Sequence, residues 1–126
     1  MRWTALPLLA YNVLLVYYSL ISPLILATQP GGPLLLMTFS FGQGFYIHVA
    51  AYLILAVLWG LSGLRGLRCF LVPCATGCLL EIAQPLFHRY ASLVDMTGNA
   101  MGALIGFGIL TAVSLSAERH HWFRIL

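Results

Sequence analysis

Four apolar stretches dominate the chain: Leu6 to Leu26, Phe45 to Leu64, Cys69 to Phe87 and Val94 to Leu115. Each approaches the roughly 20 residues that a helix needs to cross the hydrocarbon core of a bilayer. Only 7% of the 126 residues are charged, against about 25% in an ordinary soluble domain. That is too little charge to cover the surface of a soluble fold of this size. In lipid the backbone must satisfy its own hydrogen bonds, and a helix does so within one segment. The expectation is therefore an all-α integral membrane bundle of four transmembrane helices, forming a single domain over residues 1–126.

The first run follows Arg2 and Trp3, an interfacial anchor pair. It resembles a signal peptide, but it is long for one and no Ala-x-Ala site closes it, so an uncleaved helix is expected. Pro23 should end or bend its last turn. Residues 27–44 hold a PGGP turn signal at 30–33 and continue as LLLMTFSF, about half a span. An apolar interfacial or re-entrant segment between helices one and two suits this stretch.

The six basic residues are all Arg. Arg2 precedes the first run, Arg65 and Arg68 separate the second from the third, and Arg119 and Arg124 follow the fourth. With four spans these three regions share one side, and the positive-inside rule assigns that side to the cytoplasm. Both termini are then cytoplasmic, and the protein is a multi-pass protein of the cell inner (cytoplasmic) membrane. The scattered arginines form no basic stripe, so no nucleic-acid partner is expected. Arg89 alone lies on the outer side.

Arg89 belongs to a stretch, EIAQPLFHRYASLVDMTGNA, where the chain's scarce charges collect. Glu81, Gln84 and His88 are spaced i, i+3, i+7 and share a helix face, while Asp95 and Asn99 are i, i+4 on the next span. At 1.5 Å per residue Glu81 lies roughly 10 Å below His88, and Asn99 roughly 8 Å below Val94, so the two buried polar groups match in depth. His48 and Tyr52, another i, i+4 pair, open the second span at the same side. Gly98, Gly102 and Gly106 make two small-xxx-small steps suited to close helix packing. Ionisable residues within a span usually face the interior and pair, and they mark functional sites. The alternative is a buried ion network that fixes helix register, with Tyr52 as an interfacial anchor.

Cys69, Cys74 and Cys78 read as small packing residues, since an intrahelical disulfide at i, i+4 is geometrically poor. Adjacent His120 and His121 point apart on a helix and read as a solvated tail. The sequence has no metal-ligating motif, serine nucleophile elbow or nucleotide loop. No metal is expected, and no cofactor is specified.

The series Glu81-x2-Gln84-x4-Arg89-x5-Asp95-x3-Asn99-x2-Gly102-x3-Gly106 resembles the signature of the VanZ-like family of small bacterial membrane proteins. His48 and Tyr52, in YIHVAAY, look like the family's earlier His-Phe-x-x-Tyr element. The likeness runs from Tyr46 to Gly106. Gly44 and Phe45 stand where the family often has Asp-Lys, and Val49 where it has Phe. The resemblance implies a four-helix membrane protein of the envelope with an outer polar site, named for an accessory component of glycopeptide resistance, and it brings no settled reaction.

Three functions suit these residues. In the first, the outer site binds or modifies a polar or anionic envelope lipid or lipid-linked precursor. Glu81, Asp95 and His48 would then be the catalytic candidates. Arg89, His88, Gln84, Asn99 and Tyr52 would bind substrate, with Arg89 suited to bidentate contact with phosphate or carboxylate. In the second, the glycine face serves as a non-catalytic docking surface for a membrane-protein partner or a second copy. The third is a small transporter or flippase. It is disfavoured because the inner half of the last span, GALIGFGILTAV, continues no polar path.

Overall fold

The computed structural model describes residues 5–21, 43–87 and 91–122, and these form helices and short turns. Helix α1 spans Ala5–Val16 and continues as a π-helical turn, Tyr17–Ile21. Helix α2 spans Gln43–Leu61, α3 spans Arg68–Ala83 with a 3₁₀ extension Gln84–Phe87, and α4 spans Leu93–Trp122. Three segments are long and apolar enough to cross a membrane: Gly44–Leu61, Arg68–Phe87 and Leu93–Ala117. The apolar helix Ala5–Leu20 is shorter than a span. The rest of the expected first span, Ser22 to Leu26, lies outside the described residues, as does the expected interfacial segment apart from its last two residues. Those two, Gln43 and Gly44, open α2.

The boundaries have local causes. Gly63 and Gly66 carry positive φ, 104° and 61°, and turn the chain between α2 and α3. That conformation suits glycine, and it ends α2 at Leu61, three residues before the expected Leu64. Pro85 has no N–H to extend the α-helical ladder of α3, and the last turn tightens to a 3₁₀ helix over Gln84–Phe87. Helix α4 starts one residue before the expected Val94 and runs seven past Leu115. Its polar end, SAERHH, holds three good helix formers in a row, Ala117, Glu118 and Arg119, and stays helical.

Large apolar side chains cover the outside: Ile47, Ile54, Leu71, Leu79, Ile82, Leu104 and Val113 are all exposed. Inside lie Glu81, Gln84 and Asn99 with Tyr52 and Leu55. Large apolar side chains outside, with a carboxyl group and two amides buried within, suit apolar surroundings and match the bilayer-length helices.

Helices α2 and α4 make the most extensive contact, with α3 packed on both. The glycine stripe of α4 is what lets α2 in. A Cβ on Gly98 would meet the Phe45 carbonyl oxygen and His48 Cβ, each at 3.1 Å. One on Gly102 would collide with the Val49 carbonyl oxygen and come within 2.9 Å of the Leu53 nitrogen. At Gly106 it would meet Ala56 Cβ at 2.7 Å. On the other side of α2, α1 packs Leu8, Tyr11 and Leu15 against Tyr52 and Leu55. The Tyr11 hydroxyl donates to the Ala51 carbonyl at 2.9 Å.

Backbone atoms oppose a side chain at Gly102, so no rotamer change can make room. Gly102→Val should destabilise the bundle by about 1–3 kcal/mol or prevent folding. A Cβ on Gly108 meets nothing within 4 Å, so Gly108→Ala should be tolerated. Thermal melting of both variants in detergent checks the contrast.

Candidate functional site

Connectivity brings the start of α2, the end of α3 and the start of α4 to one end of the bundle. Each contributes polar side chains at similar depth. From α3, Glu81 and Gln84 turn inward, each 1% exposed. Gln84 Nε2 donates to Glu81 Oε1 at 2.9 Å, and the Ser92 backbone N–H donates to Glu81 Oε2 at 3.2 Å. Both carboxylate oxygens of Glu81 are thereby held, one within α3 and one from the entrance of α4.

Ser92 also caps α4. Its Oγ accepts from the Asp95 N–H at 3.2 Å, and its carbonyl accepts from the Met96 N–H at 3.0 Å. The helix entrance and the buried carboxylate thus share one residue. Two carboxyl groups, Glu81 and Asp95, stand at the positive end of α4, where the helix dipole favours negative charge. Ser92 is the site residue the sequence reading missed. The signal was present in Ser-x-x-Asp over residues 92–95, an N-terminal capping pattern.

About two turns into α4, fully buried Asn99 accepts a hydrogen bond at Oδ1 from His48 Nδ1 of α2, 2.7 Å away. Asn99 Oδ1 carries only lone pairs, so the hydrogen belongs to Nδ1. The other ring nitrogen, Nε2, lies 3.8 Å from Asp95 Oδ2, and both of these side chains are about a quarter exposed. Gly77 of α3 makes room for Asn99: a Cβ there would lie 2.8 Å from Asn99 Nδ2 and 2.9 Å from Tyr52 Cε1. Tyr52 is buried beside the cluster and links it to the α1 contact.

Two buried polar atoms in this cluster have no hydrogen-bond partner among the described residues, Gln84 Oε1 and Asn99 Nδ2. Buried polar atoms are rarely left so, and unpaired ones ask for a ligand or water. His48, Glu81 and Asp95 each offer one potential ligand atom, and these atoms lie within 4.8 Å of one another. The sequence reading had no metal set here. The three residues come from three helices, and no spacing motif announces them.

The fold therefore gathers His48, Tyr52, Glu81, Gln84, Asp95 and Asn99 at one end. His88 and Arg89 lie outside the described residues. Gly98, Gly102 and Gly106 line the α2–α4 seam beneath the cluster. Chemically the cluster offers two carboxylates, an imidazole with a fixed tautomer, and two amides.

Ser92→Ala should cost about 1 kcal/mol through the lost cap, read as a lower melting temperature in detergent. Ser92→Thr keeps the hydroxyl and should recover most of that loss. Compared with protein-family models, with curated proteins and with solved structures, the chain matches none.

Proposed function

We propose that the polar cluster binds the head group of an envelope lipid or lipid-linked precursor, entering sideways from the membrane. One observation carries this reading. Among the described residues a cleft of about 140 Å³ runs between α1 and α2, with Leu15, Ile47 and Ala51 as its apolar wall and Ser19 and His48 as its polar side. The cleft meets the cluster at His48, which is bonded to Asn99. An apolar slot ending on a polar group fits an amphiphile. Behind His48, the buried Gln84 Oε1 and Asn99 Nδ2 are an acceptor and a donor without a partner among the described residues. Arg89, four residues beyond the Pro85 turn, is the natural anion partner. Glu81, Asp95 and His48 are the acid–base candidates if a bond is made or broken.

The same reading includes the finer architecture. The chain crosses the inner membrane four times, with both termini cytoplasmic, and the cluster lies at the outer face. The VanZ-like resemblance, with its link to the envelope and to glycopeptide resistance, accords with this placement. A second reading has a specific observation behind it. Glu81 ties α3 to α4 through Gln84 and Ser92, as a purely structural network would. The version in which the glycine face docks another protein loses support, because α2 already covers that face.

Native mass spectrometry of the purified protein separates the two readings. Wild type should carry lipid through purification. Arg89→Ala, Asp95→Asn and Ile47→Trp, which fills the cleft, should accumulate in the membrane and lose it. Equal lipid retention in all four, or failure of the polar variants to accumulate, favours the structural network. For topology, Ala91→Cys in a background without Cys69, Cys74 and Cys78 should react with an impermeant thiol reagent from outside. Labelling only from the cytoplasmic side would invert the arrangement.

A further inference from the structure

We infer that His48, Glu81 and Asp95 form a binding site for a divalent transition-metal ion of the zinc, cobalt and manganese type. The donor set is one imidazole nitrogen and two carboxylates, gathered from α2, α3 and α4. This mixture suits borderline and moderately hard divalent ions, and thiolate-seeking ions find no sulfur in it.

The geometry of His48 favours such an ion. Its Nδ1–H is committed to Asn99 Oδ1 at 2.7 Å, so in the neutral ring Nε2 carries the lone pair. A hydrogen bond from the ring nitrogen that does not face the ion is how metal-binding histidines are oriented. That lone pair lies 3.8 Å from Asp95 Oδ2, beyond hydrogen-bond range. Two ligands each about 2.1 Å from one ion stand at most about 4.2 Å apart. The His48–Asp95 gap fits this directly. The widest separation in the set, up to 4.8 Å, closes with side-chain shifts of about half an ångström to the same limit.

Gln84 supplies a second, independent observation. It is 1% exposed, its Nε2 is bonded to Glu81, and its Oε1 has no hydrogen-bond partner among the described residues. Gln84 is thus joined to one of the three donors, and its unpartnered oxygen is the kind of buried acceptor that a nearby cation satisfies. The positive end of α4 opposes a cation weakly, while two carboxylates within reach of one point favour it strongly. The inference stands apart from the lipid reading, since the ion alone is the ligand.

The test uses the full chain in lipid-free detergent, titrated with Co²⁺ and followed by visible absorption. One equivalent should bind saturably, without a thiolate charge-transfer band, and Zn²⁺ should displace it. His48→Ala, Glu81→Gln and Asp95→Asn should each abolish saturable binding. Asn99→Ala should weaken it about 10- to 100-fold. A variant with both His120→Ala and His121→Ala should bind like wild type. If the ligand variants fail to fold, that tail variant loaded with Mn²⁺ decides. Its pulsed EPR spectrum must show coupling to one imidazole nitrogen. The inference is overturned by absent saturable binding in wild type, a thiolate band, binding lost with the tail histidines, or a Mn²⁺ spectrum without imidazole coupling.

Discussion

The close approach of α2 to α4 is the contact on which the rest of the bundle depends. With Gly98, Gly102 and Gly106 facing it, the backbone of α2 comes so near that a single methyl group would strike carbonyl oxygens. Lipid gives no hydrophobic drive for two helices to associate, so backbone proximity and dispersion must supply the attraction. That proximity also sets the chemistry. His48 is in contact with Gly98, and this contact brings its ring against Asn99 and Asp95. A bulkier seam would push His48 away from both.

The second junction, between α3 and α4, works by hydrogen bonding. Glu81 is buried, and taking a carboxylate into an apolar interior is costly unless its oxygens find donors. Gln84 and the Ser92 N–H supply them, and Ser92 in turn starts α4. Helix start, interhelical contact and charge compensation thus fall on three residues. The arrangement explains why an acidic group sits at this depth, whatever the site binds.

Much of this was legible in the residues. Long apolar runs give α2, α3 and α4, because a bilayer-length helix needs little beyond length and apolarity. The i, i+3 and i, i+4 offsets among Glu81, Gln84, Asp95 and Asn99 place them on single faces, because helical periodicity is local. Helix ends were less legible. Gly63 stops α2 early through its φ, and α4 runs on into the polar tail. The cross-helix pairings were the least legible. His48 and Asn99 are 51 residues apart, and which atom meets which depends on the seam between their helices. The convergence of His48, Glu81 and Asp95 is non-local in the same way. Ser92 differs: its capping pattern is local and present in the sequence, while its bond to Glu81 depends on how α3 and α4 meet.

The bond between Glu81 and Ser92 bears on how the chain enters a bilayer. It closes across 11 residues, within the α3–α4 hairpin. The His48–Asn99 bond must wait for α2 to dock. A hairpin inserted as a unit carries partners for its own buried carboxylate and exposes Asn99 only until α2 arrives. The α3–α4 contact can thus satisfy the buried carboxyl group by itself, whereas Asn99 Oδ1 gains its donor only when α2 packs over the glycine seam.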